Sequence, residues 1–235
     1  SFTNNFVKNV GVNFDKSADA GRIANVVQAA LARGPGIRVT DNVAINELGK
    51  SRPEDLVSMY KSGGTADDPI LIARNKFKGG GPSDSGFGIQ LGDQGGGYIV
   101  AEDNILVNPG SGGLSIASHG HNISYRNNKV YSDDKRDFTN LGQLVSKPPS
   151  GCRICITVEN NEITFWQAAD FNGSGKPRPL LFPFWKPSTG CNDIAGWSTN
   201  KFDTNKAQPA NLDSSLWNPA WNTPSFLPDN PYWVQ

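Results

Sequence analysis

The residues with the greatest capacity for chemistry recur at one kind of place in this chain. Lys61 and Asp93 each stand two residues beyond the last apolar residue of a short hydrophobic run, Met59 and Leu91, and Lys147 does the same after Val145. The matching turn after Ile116 brings Ser118, His119 and His121, and Tyr60 and Gln90 lie beside the set. Lys61, Asp93, His119 and His121 therefore offer a base, a carboxylate and imidazoles whose charge switches near physiological pH. Removing the proton alpha to a uronate carboxylate needs a base and a positive partner for that carboxylate. Lys61, His119 or His121 could serve as the base, with Arg126 or a bound divalent ion as the partner. Glycoside hydrolysis needs two carboxyl groups about 5 to 9.5 Å apart, and Asp93 could pair with Asp67, Asp68 or Glu54. Tyr60, Gln90, Arg126, Trp166 and Trp185 are the candidate substrate-binding residues, since a flat ring with a polar tip suits a sugar. His119-Gly120-His121 supplies two metal ligands with no third at motif spacing, so no transition-metal site is expected. The runs Gly79-Gly80-Gly81-Pro82 and Gly95-Gly96-Gly97 lack the Lys-Ser/Thr and helix of a phosphate loop and read as tight turns.

These side chains act together only if the turns that bear them are stacked, and a repeat in the sequence predicts that stacking. In Val100-Ala101-Glu102-Asp103-Asn104-Ile105-Leu106-Val107 a hydrophobic strand runs into an Asn and resumes two residues later. The same pattern surrounds Asn5, Asn42, Asn75, Asn128, Asn161 and Asn200. Five residues before the Asn, from Asn42 onward, stand Ile37, Ile70, Ile99, Ile123, Ile156 and Ala195; three before stand Val39, Ile72, Ala101, Tyr125, Val158 and Trp197. Two after it come Val7, Ala44, Phe77, Leu106, Val130, Ile163 and Phe202. Such columns imply coils stacked directly on one another, with asparagine amides bonding their neighbours above and below. The step of 24 residues from Asn104 to Asn128 is too short for a strand–helix–strand crossover of about 30. Second strands are expected at 55–60, 86–91, 112–117 and 141–145.

The period changes in two places. Ile23, Val26, Val27, Ala30 and Leu31 recur at helical spacing and end at Gly34-Pro35-Gly36, which predicts an amphipathic helix inserted over about 18–32. An aromatic excursion over about 165–190 holds Phe165, Trp166, Phe171, Phe182, Phe184 and Trp185, and the tail over 204–235 holds Trp217, Trp221, Tyr232 and Trp233. So aromatic a tail is expected to pack on or cap the coils of residues 1–203. Cys152 and Cys191 each lie nine residues before a ladder Asn, and neighbouring strands about 4.8 Å apart satisfy a disulfide. That pairing leaves Cys155 as a free or intermolecular thiol and implies a secreted, periplasmic or cell-surface protein. The other reading is three small buried hydrophobes in a reducing cytosol. Asn122-Ile123-Ser124 and Asn172-Gly173-Ser174 fit the glycosylation acceptor pattern.

Charge and composition narrow the partners. The chain of 235 residues has 22 basic and 22 acidic residues, a formal net charge of zero, which argues against bulk attraction to nucleic acid or acidic membranes. No run approaches the ~18 apolar residues of a membrane span, and the polar start Ser1-Phe2-Thr3-Asn4-Asn5 does not read as a signal peptide. Because the first repeat begins almost at Ser1, the open first coil is expected to be covered by a missing N-terminal segment or a neighbouring subunit.

Asn-x-hydrophobic repeats of variable length, preceded by short β runs and separated by Gly-rich turns, resemble the right-handed parallel β-helix proteins of the pectate-lyase-like superfamily. The resemblance covers residues 1 to about 203 and implies an all-β solenoid of about seven coils. It also implies the activities found on such folds, among them polysaccharide lyases, glycoside hydrolases and epimerases, alongside surface proteins without catalysis. Lys176-Pro177-Arg178-Pro179 only echoes an Arg-x-Pro pattern, so no catalytic arginine or calcium site is carried over from that family. The expectation is an extracellular protein acting on a linear, uronate-type polysaccharide as a lyase or hydrolase. The alternative is a non-catalytic glycan-binding, cell-surface or self-assembling β-helix. No cofactor is required by either, and a bound Ca2+ is the one addition the chemistry admits.

Overall fold

The computed structural model describes residues 1–11, 24–47, 50–51, 53–80, 86–110, 112–116, 120–131, 155–164, 166–167, 178–179, 194–202 and 217–223. They form a parallel β-helix with three sheets running along its axis. The first sheet stacks Phe2–Thr3, Arg38–Thr40, Ile70–Ala73, Gly96–Glu102, Gly120–Arg126 and Ile156–Glu159. The second stacks Phe6–Lys8, Val43–Ile45, Lys76–Lys78, Ile105–Val107, Lys129–Tyr131, Glu162–Thr164 and Lys201–Phe202. The third stacks Val27–Ala30, Val57–Tyr60, Phe87–Asp93 and Gly112–Ile116. One strand per coil in the second sheet gives seven coils.

The turn from first to second sheet is the same chemical device each time. The residue before the ladder asparagine is left-handed in six coils, at Asn4, Asp41, Arg74, Asp103, Asn127 and Asn160, with φ from 53° to 60°. That twist turns the Asn side chain inward. Each amide then spans three coils: Asn75 Nδ2 donates to Asn104 Oδ1 at 2.9 Å and to the carbonyl of Val39 at 2.9 Å. The Asn75 backbone N–H donates to the same Asn104 oxygen at 3.0 Å. The pattern repeats from Asn5 to Asn200, and Asn42, Asn75, Asn104, Asn128 and Asn161 are wholly buried. A buried primary amide is tolerated because every donor and acceptor it owns is met.

Inside the coils the columns stack as the spacing predicts. Ile70, Ile99, Ile123 and Ile156 are in register, as are Val39, Ile72, Ala101, Tyr125 and Val158, and the residues two beyond each Asn pair from Val7 through Phe202. Tyr125 fills the interior beside small Ala101, and its hydroxyl donates to the carbonyls of Ile89 and Ser115 at 2.9 and 2.7 Å, tying the first sheet to the third. The last coil departs from the column. Gly196 is left-handed, Trp197–Thr199 forms a 3-10 turn, and Ala195 pairs with Thr157 rather than Ile156.

The expected helix over 18–32 is overturned where it is described. Ala24 bridges to Pro53 and Val27–Ala30 is a strand, with Val27 and Ala29 packed on the core and Ala30 and Leu31 outside. Two adjacent β-branched residues and the open edge of Val57–Tyr60 outweigh a helical spacing of apolar residues, because strand pairing satisfies the backbone of both coils. Residues 18–23 of that segment lie outside the described residues, as do Cys152 and Cys191; Cys155 is an exposed free thiol. Within the tail, Trp217 is buried against Val43 and Val107 on the outer face of the second sheet, with Trp221 at a ring separation of 5.3 Å and Lys76 and Lys78 over the two rings. Residues 217–223 thus lie along the side of the coils. Among the described residues no helix is long and apolar enough to cross a membrane.

Replacing Asn104 by Ala would strand both Asn75 donors and the carbonyl of Ile72 in the interior. The expected cost is about 4 kcal/mol. Asn5→Ala, at the half-buried end of the ladder, is expected to cost about 1 kcal/mol. Urea unfolding of the two variants beside the parent checks the difference.

Candidate functional site

Lys61, Asp93 and His121 lie where the third sheet turns into the first. Lys61 follows Tyr60 at the end of its strand with a left-handed φ of 49°, and its N–H donates to the carbonyl of Asp93 at 2.8 Å. Tyr60 itself is paired with Asp93 across a bulge. One coil further, Gly97 is in register with His121. Gly63 belongs to the same stack: a side chain there would meet the carbonyl of Gly97 at 2.7 Å, and the N–H of Gly64 donates to that carbonyl at 3.1 Å. Lys61, Asp93 and His121 therefore stand on three successive coils at one corner, all half-buried. His119 lies outside the described residues, as does Trp185; Trp166 lies in a two-stranded antiparallel pair with Pro179, apart from the three sheets.

The corner has an aromatic rim. Lys61 Nζ sits 5.2 Å from the centre of the Tyr60 ring, a cation–π contact. Tyr98, which sequence reasoning missed, places its ring edge-on to the His121 imidazole, with centroids 5.6 Å apart and planes at 89°. Tyr98 is a bulky residue at φ 53°, a conformation that costs about 1 to 2 kcal/mol for an L-residue. Its signal was present in the sequence only as an aromatic directly after three glycines. Gln90 lies on the outer face of the third sheet between Ser58 and Ser115, and its Oε1 is shielded from solvent without a hydrogen-bond partner among the described residues.

Arg126 is not part of this corner. It sits five residues beyond His121 on the same strand, about 16 Å away at ~3.3 Å per residue, and its Nε lies 3.0 Å from Glu159 Oε1. The contact is one of charge, since the N–H is not aligned for a hydrogen bond. The carboxylates weighed as partners for Asp93 also separate. Asp68 is held by the Arg38 guanidinium and the N–H of Gly36, which keep its pKa below the usual carboxylate range. Glu54 precedes the third-sheet strand that Lys61 follows, and Asp67 is exposed. Among the described residues no three His, Cys, Asp or Glu side chains gather closely enough to hold a metal ion.

One further acid emerges from the fold. Asp55, two residues before Val57, occupies the column of Asn25 and Phe87: Asn25 Oδ1 accepts its N–H at 2.9 Å, and Asp55 Oδ1 accepts the N–H of Phe87 at 2.8 Å. It is a short second ladder with an acid where an amide would serve. Burial pushes its pKa up to about 7, against the Phe87 N–H and the Ser58 bond, which favour the charged form; Glu54 and Asp93 add to the rise.

No protein-family model, curated protein or solved structure matches the chain, so its fold and site rest on its own geometry.

Asp55 makes stability depend on pH with a definite sign. The folded state holds its proton up to about 7, whereas the unfolded chain releases it near 4. Stability from this group is thus present below pH ~4 and lost as pH rises toward 7, at most about 4 kcal/mol. Asp55→Asn keeps the acceptor for Phe87 without the charge. The variant is expected to be more stable than the parent at pH 8 and nearly equal to it at pH 4, as read by urea unfolding at the two pH values.

Proposed function

We propose that this solenoid binds a linear polysaccharide along its axis at the corner of the third and first sheets and acts on it there as a lyase. The observation that carries the reading is the placing of Lys61, Asp93 and His121 on three successive coils, rimmed by the half-buried rings of Tyr60 and Tyr98. Coils repeat at the spacing of neighbouring strands, about 4.8 Å, so a linear polymer laid along the axis meets a new group at each step. Ring faces with polar edges suit sugars. The β-helix resembles the pectate-lyase-like proteins in architecture, which supports a polysaccharide and an extracellular or cell-surface setting by analogy alone.

Lyase chemistry suits the corner better than hydrolysis. Of the carboxylates that could pair with Asp93, Asp68 is taken up by Arg38, Asp67 stands exposed, and Glu54 precedes the strand at whose far end Lys61 lies, while Asp55 is buried within the ladder of Asn25 and Phe87. A lyase needs a base for the proton alpha to the carboxylate and a positive or hydrogen-bond-donating partner for that carboxylate. Lys61 is the residue placed to take that proton, His121 faces a substrate oxygen, and Asp93 orients the sugar. Arg126, paired with Glu159 at the far end of the strand, supplies neither.

The test is a screen of uronate and neutral polysaccharides for new reducing ends, with ultraviolet absorbance reporting an unsaturated product. On a substrate so found, Lys61→Ala and His121→Ala are each expected to lower turnover about 100-fold or more. Unchanged turnover in Lys61→Ala, Asp93→Asn and His121→Ala would remove the corner as the site. Retention of a glycan on affinity gels without cleavage would favour the non-catalytic glycan-binding reading.

A further inference from the structure

We infer that Asn122 is a positioning residue that sets the tautomer of His121, so that the ring presents Nε2–H as a hydrogen-bond donor to an oxygen of the bound ligand. The inference rests on the corner being a ligand site, but its structural basis is independent of which ligand binds. Asn122 Nδ2 lies 3.1 Å from His121 Nδ1. An amide nitrogen can only donate, so Nδ1 must be the ring's acceptor, and the neutral imidazole then carries its proton on Nε2.

Three neighbours fix the ring in that pose. Gly97 lies beside it, where a methyl group would collide with the backbone carbonyl of His121 and with Nδ1 and Cε1 of its ring, so glycine leaves room for both the strand pairing and the imidazole. Tyr98 meets the ring edge-on from that same coil. Asn122 closes the Nδ1 side. The backbone is kinked in step to arrange this: Tyr98 and Asn122 both fall between the paired positions Gly97–His121 and Ile99–Ile123, with φ of 53° and 50°. Asn accepts a left-handed conformation readily and Tyr does not. A matched pair of such residues on adjacent coils, one of them strained, is the kind of local cost found where side chains must be aimed. The amide of Asn122 is also the acceptor atom of a glycosylation pattern in the sequence; within a strand and bonded to an imidazole, it has a structural use of its own.

The consequence for the corner is a division of labour. With Nδ1 occupied and Nε2 bearing hydrogen, neutral His121 is a donor and not the base, which leaves Lys61 to take the proton. The ring is suited to a carboxylate or hydroxyl oxygen and unsuited to an ammonium or other donor-only group.

Long-range ¹H–¹⁵N correlation of the imidazole nitrogens tests this on the free protein. The chain has 2 histidines, and His119→Gln leaves the His121 signals alone. The parent, at a pH where the ring is neutral, is expected to show a protonated Nε2 and an unprotonated Nδ1. Asn122→Asp puts an acceptor opposite Nδ1 and is expected to reverse the pattern. Asn122→Gly removes the amide while keeping the left-handed backbone unstrained, and is expected to draw the two nitrogen shifts together as the tautomers exchange. A parent with its proton on Nδ1, or an Asn122→Asp ring unchanged from the parent, overturns the inference. Because no substrate is present, a failed search for a polysaccharide would count against the lyase and leave this result standing.

Discussion

The structure depends on a buried side-chain amide whose hydrogen bonds cannot be satisfied within its own coil. Each ladder asparagine owns two N–H donors and a carbonyl oxygen in an interior that would make an unmet polar group costly. Its partners lie one coil before and one coil after, as in Asn104, which donates to Ile72 and to Asn128 and accepts from Asn75. The amide-to-amide bonds all point the same way along the axis and each amide also reaches back to a carbonyl of the preceding coil, so the ladder fixes both the stacking distance and the register of the coils it joins. Hydrophobic columns alone would hold the coils together yet allow a strand to slip by two residues; the amides remove that freedom.

Rigidity at this corner of every coil has a counterpart at the next. The turn from the third sheet to the first is built from glycine and left-handed residues without an asparagine ladder, and it differs in length from coil to coil. Residues 61–69 connect the two sheets in one coil, and residues 94–95 do so in the following one. Variable turns on a fixed frame are where polar side chains can be aimed outward without disturbing the core. The candidate site lies there, whereas the αL residues of the laddered turn carry surface ion pairs such as Arg74 with Asp41 at 2.7 Å. Asp55 shows the limit of this division, since it serves as a ladder element and keeps a titratable group in the frame itself.

Much of the frame was legible in the sequence because a parallel stack repeats identical contacts between equivalent positions. Isoleucine five residues before each Asn and an apolar residue two after it suffice to align the strands, as the register of Ile70, Ile99 and Ile123 confirms. The segment 24–31 was misread because its periodicity is compatible with a helix, and only the open edge of Val57–Tyr60 converts it into a strand. The site was partly legible. Lys61 and Asp93 were found because they sit at equal offsets from aligned residues, and their contact is the backbone bond that such offsets produce. Arg126 was grouped with them by charge alone, and five residues of extended strand separate it from His121.

Sequence by itself determined which residues face inward, where the coils turn, and that an amide ladder joins them, since these follow from alternation and from a repeated Asn. Tertiary structure decided which turn residues meet. Gly96 pairs with Gly120, so that Gly97, and no earlier residue, comes beside His121, and Tyr98 and Asn122 fall into matching left-handed positions. The reason is physical: the inward columns are set by a period of two that every strand shares, whereas alignment in the turns depends on backbone dihedrals and on how many residues each coil spends there.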